Sequence, residues 1–382
     1  MARLGDICTV VSGTTPSSTV PEYWDGQLNW ITPAEMTEES GVIYESQRKI
    51  TELGVKKSGL SSFPAGTVLL SSRAPIGKVG IAGVEMYCNQ GFKNLICSDR
   101  IFNKFLYWFL ISKKEYLNTL GRGATFKEIS KAIVESIEIP LPSLDEQKRI
   151  AARMDQINIL ISLRKKQLQK LDDLVKARFV EMFGTIDNNP FGFPLVCLQD
   201  VCEQIKDGTH QTPEYTEDTI NGFMFLSSKD VTSGRIDWHH LKYIPKALHD
   251  ELYARIAPRK GDILLAKNGT TGIAAIVDTD DVFDIYVSLA LLRPIDVHPV
   301  YLWAAINSAE TKRQFDASLK GIGVPNLHLG EIKKAKVLMP PKEMQNQFAA
   351  FVSQVDKSKL SIQQSLEKLE NLKQSLMQQY FG

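Results

Sequence analysis

The sequence predicts an α+β protein in which two globular domains are joined by two long helices that form an antiparallel coiled coil. Two observations support this prediction. The 382-residue chain repeats itself in order, and each copy ends in a run whose apolar residues recur at three- and four-residue steps. Hydrophobic residues make up 43% of the chain, which is enough to build ordinary cores.

The internal repeat consists of matched segments in the same order. Leu4-Gly5-Asp6-Ile7-Cys8 matches Leu198-Gln199-Asp200-Val201-Cys202, and Gly13-Thr14 matches Gly208-Thr209. The end of each copy, residues 142–184 and 340–382, aligns without a gap. Chance does not produce so many ordered matches, so the chain is one structural plan written twice with an internal pseudo-twofold relationship.

Each copy begins with a mixed region. Short apolar runs flanked by glycine and polar turns predict strands, and helical spacing predicts one helix over Phe102–Lys114 and another over Pro299–Gln314. Trp108 and Trp303 are the expected core anchors of these helices. The predicted strands are Thr67–Leu70, Ile81–Ala82, Leu95–Cys97, Asp262–Leu265 and Ile273–Val277.

A proline-rich segment leads from each mixed region into a long helix. Proline disfavours helix in the residue before it, so Ile137–Pro142 and Ala335–Pro341 should be extended. Ser143 is the expected N-cap of the first helix, followed by acidic residues that suit the positive end of the helix dipole. Gly184 and Gly382 are the expected stops.

The two apolar stripes are too long to cover one small domain, so a two-helix coiled coil is the better interpretation. The first helix leads from the first domain to the second. A pseudo-twofold then makes the second helix run back, antiparallel, and brings the chain termini close together. The predicted coiled-coil core is Ile157, Ile161, Leu168, Leu171, Val355, Ile362, Leu366 and Leu369. The predicted parts are domain 1 (1–142), the first helix (143–184), domain 2 (185–340) and the second helix (341–382).

Composition and motifs exclude several classes. The net charge of +1 is mild for a protein that grips phosphates, although balanced totals can hide basic patches. Five cysteines without a C-x-x-C pair argue against a disulfide framework or a zinc ribbon and suit the cytoplasm. No signal peptide or membrane span is visible. No phosphate-binding or catalytic motif occurs, and His239, His240 and His249 are expected to be surface or capping residues.

The sequence resembles the specificity subunit of type I restriction-modification systems over essentially its whole length. The resemblance rests on Leu4-Gly5-Asp6-Ile7, on Gly66-Thr-Val-Leu-Leu-Ser-Ser-Arg-Ala-Pro-Ile-Gly77, on Asn89-Gln-Gly-Phe-Lys-Asn-Leu95, on Ile139-Pro-Leu-Pro-Ser-Leu-Asp-Glu-Gln147 and on the duplication. It implies a non-catalytic subunit with two target-recognition domains, each reading one half of a split double-stranded DNA site.

The resemblance also implies the partners. Two methyltransferase subunits would dock on the helical spacer, and restriction and translocase subunits would join them. S-adenosylmethionine, ATP and Mg²⁺ are expected on those partners only, with no cofactor on this chain. Gln147 and Gln345, at the helix starts, are candidate docking residues together with the polar helix faces.

DNA contacts are expected from polar and basic residues on loops, because base edges and phosphates are read by such side chains. The second copy carries Ala266-Lys-Asn-Gly-Thr-Thr-Gly272 where the first has Ser71-Ser-Arg-Ala-Pro-Ile-Gly77, so the two domains should read different half-sites. The candidates in copy one are Ser72, Arg73, Lys78, Lys93, Arg122 and Lys127. Those in copy two are Lys206, Thr209, His210, Lys229, Arg235, Lys267, Asn268, Thr270, Lys320 and Asn326.

Two other hypotheses stay open on the sequence. The chain could be a coiled-coil scaffold whose domains bind protein or sugar rather than DNA. It could also be a fragment of an enzyme that lost its nuclease and methyltransferase parts, although the matching repeat boundaries disfavour this.

Overall fold

The computed structural model describes every residue except 38, 74, 123–126, 232–233 and 320–324. The described residues form two compact units. Unit 1 comprises residues 1–165 and 364–382, and unit 2 comprises residues 166–363. Each unit contains a globular part, which we call head 1 or head 2, and a segment of each of two 40-residue helices.

The helices and strands follow the same plan in both copies. In the first copy they are β1 (Ala2–Arg3), α1 (Leu4–Ile7), β2 (Cys8–Val11), β3 (Trp24–Ile31), β4 (Glu39–Ile43), β5 (Lys49–Ile50), α2 (Glu52–Ser58), β6 (Val68–Leu70), β7 (Val79–Ala82), β8 (Tyr87–Cys88), β9 (Asn94–Cys97), α3 (Asn103–Ser112), α4 (Lys114–Leu120), α5 (Lys131–Ser136), β10 (Glu138–Ile139) and α6 (Leu144–Phe183). In the second copy they are β11 (Leu195–Cys197), β12 (Cys202–Asp207), β13 (Phe223–Leu226), β14 (Lys242–Ile244), α7 (Lys246–Arg255), β15 (Ile263–Ala266), β16 (Ala274–Ile276), β17 (Phe283–Ile285), β18 (Leu289–Pro294), α8 (Pro299–Ile306), α9 (Ala309–Ser318), α10 (Leu329–Lys334), β19 (Lys336–Leu338) and α11 (Lys342–Phe381).

The sheets show that the sequence repeat is one fold built twice. Among the described residues, head 1 has sheets ordered β2-β9-β6-β7-β4, β5-β3-β8 and β1-β10. Head 2 has β12-β18-β15-β16, β14-β13-β17 and β11-β19. The orders agree apart from the added edge strand β4. In both three-stranded sheets one pair is parallel, β3 with β8 and β13 with β17.

The central strands β6 and β15 explain why the sequence shows continuous apolar runs there. Val68 and Leu70 pack into one core cluster of head 1 while Leu69 packs into another. All three side chains are fully buried. Ile263–Leu265 divides between two cores of head 2 in the same way. A strand covered on both faces loses the alternation of apolar and polar residues.

The helix predicted over Phe102–Lys114 is present as α3 (Asn103–Ser112), with the short α4 after it, whereas the helix predicted over Pro299–Gln314 is broken into α8 and α9. In head 2 the break lies at Asn307, whose side chain bonds both the N–H and the carbonyl of Ala274 at 3.0 Å. Ser308 then accepts a hydrogen bond from the Thr311 N–H and starts α9. Both residues prefer bonds of this kind to a helix interior, so the chain turns here.

The long helices begin and end where the sequence predicts. Ser143 Oγ accepts from the Glu146 N–H at 3.3 Å as an N-cap. Gly184 follows α6 with a φ of +70°, a left-handed conformation that favours glycine. The preceding proline-rich segments are extended and pair with the first strand of each copy.

In unit 1 the segments of α6 and α11 run antiparallel. Arg153 contacts Tyr380 at 3.0 Å, Asn158 contacts Lys373 at 2.9 Å, and Lys165 pairs with Glu370 at 2.9 Å. Residue numbers rise on one helix as they fall on the other. Phe381 lies buried in the core of head 1, 5.2 Å from Phe105 between ring centroids, so both terminal segments belong to unit 1.

Unit 2 repeats this antiparallel pairing. Asp172 pairs with Lys359, and Phe179 and Phe183 each lie 5.6 Å from Phe348. The predicted antiparallel helix pair is therefore present within each unit. Of the predicted core residues, Ile157, Ile161 and Val355 are buried, whereas Leu168, Leu171, Ile362, Leu366 and Leu369 are partly buried.

His249 corrects the prediction that the histidines are surface or capping residues. Its side chain is buried, bonds Asp284 at 2.7 Å and stacks on Phe223. Burial raises the pKa of Asp284 to about 6, although the hydrogen bond and charge of His249 act to lower it. A helix residue facing β17 was not recognisable from local sequence.

No helix in the described ranges combines the length and the apolar character needed to cross a membrane. Nor do the described side chains include a group of three or more His, Cys, Asp or Glu residues placed to hold a metal ion.

Candidate nucleic-acid interface

A glycine that follows the first strand of the main sheet, β2 or β12, sets the position of one loop in each head. Thr14 N–H donates to Cys88 O and Thr209 N–H donates to Ile285 O, both at 3.1 Å. A Cβ at Gly13 would lie 1.7 Å from Cys88 O, and one at Gly208 would lie 2.1 Å from Ile285 O. Only glycine allows this close approach, so the two loops start from equivalent points.

A second loop follows the central strand and is held by the same backbone bonds in both heads. In head 1, the Ser72 N–H donates to Gly91 O at 2.8 Å, and Ser72 O accepts from the Ile129 N–H at 2.9 Å. In head 2, the Lys267 N–H donates to Ser288 O at 2.9 Å, and Lys267 O accepts from the Leu327 N–H at 2.8 Å. The frame is shared, and the side chains on it differ.

In head 1 this frame carries a charged group, which we call cluster 1: Ser72, Arg73, Lys93 and Glu128. Arg73 Nε donates to Glu128 at 2.9 Å, and Lys93 Nζ donates to it at 3.1 Å. Partial burial acts to raise the pKa of Glu128, but the bonds from Lys93 and Arg73 outweigh it and lower the pKa. Cluster 1 therefore holds two cations on one carboxylate, with Arg73 half exposed.

In head 2 the frame carries cluster 2: Asp207, Lys267, Asn268 and Asn326, beside His210. Lys267 Nζ donates to Asp207 at 3.0 Å, and His210 lies 3.2 Å from the same carboxylate. Partial burial acts to raise the pKa of Asp207, but Lys267 and His210 lower it below its usual value. All five residues line one open cleft.

The structure thus brings several predicted DNA-binding residues together. The side chains of four of them are buried, so they are not exposed for direct contact: Thr209 and Lys267 in head 2, and Ser72 and Lys93 in head 1. Exposed side chains belong to Arg73, Arg122, Lys127, Lys206, His210, Lys229, Arg235 and Thr270. Lys320 lies outside the described residues.

Two of the predicted DNA-binding residues bond to other parts of the protein. Lys78 Nζ donates to Pro33 O at 2.9 Å, and Arg235 pairs with Asp356 on α11. Sequence reasoning missed the carboxylates Glu128 and Asp207, which organise the cations. Asp207 had a signal, since it directly precedes the repeated Gly208-Thr209. Glu128 had none.

Gln147 and Gln345 are not docking residues, because both are buried. Gln147 Oε1 accepts from the Phe102 N–H at 2.8 Å, and its Nε2 donates to Arg100 O and Pro142 O. Gln345 accepts from the His298 N–H at 2.7 Å. Each side chain satisfies backbone groups where a head meets its long helix.

Gln147→Leu is expected to lower the free energy of unfolding of unit 1 by about 2 kcal/mol, because it removes the side-chain partner of one backbone N–H and two backbone carbonyls. Urea unfolding of the isolated chain measures this. Gln156→Leu, at an exposed site on the same helix, is the matched control and should be near neutral. Equal stability of the two variants would contradict a structural role.

Comparison with known proteins agrees with this geometry. A family model for the type I restriction modification DNA specificity domain matches residues 1–173 and again residues 192–372. The chain belongs to this family. Membership confirms the predicted role as a DNA specificity subunit of a type I restriction-modification system, a role that is not catalytic.

Relatives match along most of their length. The MjaIX type I restriction enzyme specificity subunit of Methanocaldococcus jannaschii is 27% identical over 410 residues, covering 98% of this chain and 90% of the relative. The EcoBI type I restriction enzyme specificity subunit of Escherichia coli is 24% identical over 342 residues, covering 80% and 72%.

Solved structures show the same fold. The S subunit of a type I restriction-modification system from M. genitalium matches with a TM-score of 0.57 and 16% identity, covering all of this chain and 95% of that one. A chain from a structure that addresses complex assembly and conformational transition of the type I R-M system matches with a TM-score of 0.60 and 20% identity, covering 100% and 96%. The predicted α+β class with two repeated domains and two long helices is confirmed.

Proposed function

We propose that each head binds one half of a bipartite double-stranded DNA sequence. The observation that carries this is the shared backbone frame with different side chains on it. Cluster 1 presents Arg73 and Glu128 where cluster 2 presents Asn268 and Asn326. Two heads that recognise different half-sites need the same backbone frame with different polar side chains on it.

We further propose that α6 and α11 set the spacing between the half-sites and dock two methyltransferase subunits, which restriction and translocase subunits then join. Exposed apolar side chains on α6 support a protein partner: Ile159, Leu160 and Leu163 are 58%, 44% and 50% exposed. S-adenosylmethionine, ATP and Mg²⁺ would then be held by these partners, and the complex would work in the cytoplasm.

The functional parts that we propose are recognition domains at 1–142 and 185–340 and spacer helices at 143–184 and 341–382. The compact units divide each helix between them. A recognition domain exchanged as a cassette must therefore keep its contacts with the helix ends, above all Phe105 against Phe381.

Head exchange tests this function. Residues 1–142 are replaced by the corresponding head of a relative, with Phe105 retained, and the chain is co-expressed with the partner methyltransferase. Genome-wide methylation mapping should show one bipartite motif with a fixed spacer for the native chain. The exchanged chain should change one half of the motif and keep the other half and the spacer.

A motif that changes in both halves, or in neither, contradicts the two-head assignment. A native chain that directs no methylation motif would instead favour the scaffold hypothesis, in which the heads bind a partner other than DNA. Removing one helical turn from both α6 and α11 is the complementary variant. It should alter the spacer and leave both half-sites unchanged.

A further inference from the structure

One position in the shared loop frame carries a side-chain pair that differs in kind between the heads. In head 1, Arg73 and Glu128 face each other in an isolated antiparallel bridge, and in head 2 the same bridge joins Asn268 and Asn326. The head 1 pair satisfies itself, because Arg73 Nε donates to the Glu128 carboxylate at 2.9 Å. The head 2 pair does not.

The amide oxygens of Asn268 and Asn326 are both buried and have no hydrogen-bond partner in the described part of the chain. Leaving such an oxygen unpaired is unfavourable. Both side chains line the cleft that also contains Lys267 and His210. Rotation of these side chains into the cleft is therefore favourable when a ligand supplies the missing hydrogen-bond donors.

The chemistry of the unpaired atoms selects the ligand. An amide oxygen needs a donor, and a DNA phosphate or a thymine O4 offers only acceptors. Adenine N6 and cytosine N4 offer donors in the major groove. Adenine alone places the N7 acceptor beside its donor, which also satisfies the amide nitrogen of asparagine.

We propose that Asn268 and Asn326 read an adenine–thymine base pair in the half-site bound by head 2: one amide accepts from adenine N6 and donates to N7, and its second N–H donates to the amide oxygen of the other. This inference rests on the proposed function and deepens it. At the same position in head 1, Arg73 suits guanine O6 and N7, and Glu128 suits cytosine N4. The two heads would then recognise different base pairs at this position, A·T in head 2 and G·C in head 1.

Selection from a random-sequence duplex DNA pool tests the proposal, using the full chain with its co-expressed methyltransferase. Asn268→Ala combined with Asn326→Ala should reduce the preference for one A·T pair in the head 2 half-site by about tenfold or more. The head 1 half-site is the internal control. Gln199→Ala, at an exposed position of head 2 outside the cleft lining, should leave the motif unchanged.

A second variant, in which head 2 receives the side-chain pair of head 1, should gain a new base preference rather than lose the native one. Asn268→Arg with Asn326→Glu places the head 1 pair in head 2 and should move the preference at that position from A·T toward G·C. The near-isosteric Asn326→Asp keeps the volume but removes the amino donor, so it should weaken the adenine preference without disturbing the fold.

The outcomes separate the two proposals. A native chain that selects no bipartite motif overturns the proposed function and this inference with it. A native bipartite motif that Asn326→Asp and the double alanine variant both leave intact overturns this inference alone. Loss of preference confined to one A·T position supports it.

Discussion

Gly208→Ala should lower the free energy of unfolding of unit 2 by about 3 kcal/mol and abolish recognition by head 2. The added methyl would lie 2.1 Å from Ile285 O and 2.5 Å from the carbonyl carbons of Ile285 and Tyr286. These are backbone atoms at the end of β17 and of the residue after it, so no side chain can move aside. The loop that carries Thr209 and His210 would be displaced from the cleft.

Urea unfolding with hydrogen exchange of head 2 peptides measures the stability change, and duplex selection measures the recognition. Gly330→Ala is the matched control, because it lines the same cleft but has open space around the new methyl. Alanine favours helix over glycine by about 1 kcal/mol, so this variant should be neutral or slightly stabilising. Native stability in Gly208→Ala would show that the close approach is not required.

Phe348→Ala should lower the free energy of unfolding of unit 2 by about 3–5 kcal/mol. The Phe348 ring is fully buried on α11, and its centroid lies 5.6 Å from those of Phe179 and Phe183 on α6. Tyr301 of head 2 packs on both phenylalanines of α6. Removing this ring leaves a cavity where both helices and the head meet.

The same unfolding experiment on Leu360→Ala provides the control. Leu360 is on the same helix and 57% exposed, so its removal should change stability by less than about 0.5 kcal/mol. Hydrogen exchange should show the loss in Phe348→Ala both in α6 peptides and in head 2 peptides. A loss restricted to α11 would contradict the proposal that this aromatic group joins helix and head.

The duplication and the helix ends could be predicted from local sequence. Ser143 as N-cap and Gly184 as stop depend on neighbours within one turn, and local hydrogen bonding and backbone freedom decide such positions. The short apolar runs at β6 and β15 were also recognisable. Their burial on both faces requires layers that come from distant parts of the chain.

The clusters could be predicted only in part. Polar residues of the correct loops were identified, among them Arg73, Lys267 and Asn326. Burial of Lys93 and Lys267 could not be predicted, because a lysine is buried only when a carboxylate such as Glu128 or Asp207 approaches from another loop. The burial of Gln147 also depends on distant residues, because its backbone partners Phe102 and Arg100 lie 45 and 47 residues away in the sequence.

By itself the sequence determined that one α+β plan with a long helix occurs twice, because repeated residues at constant order specify repeated local structure and repeated apolar periodicity. Tertiary structure alone decided which polar side chains satisfy each other and which remain unpaired. Arg73 and Glu128 neutralise one another, whereas the amide oxygens of Asn268 and Asn326 stay without partners among the described residues. Hydrogen bonds between distant loops depend on ångström-scale placement that no local pattern encodes.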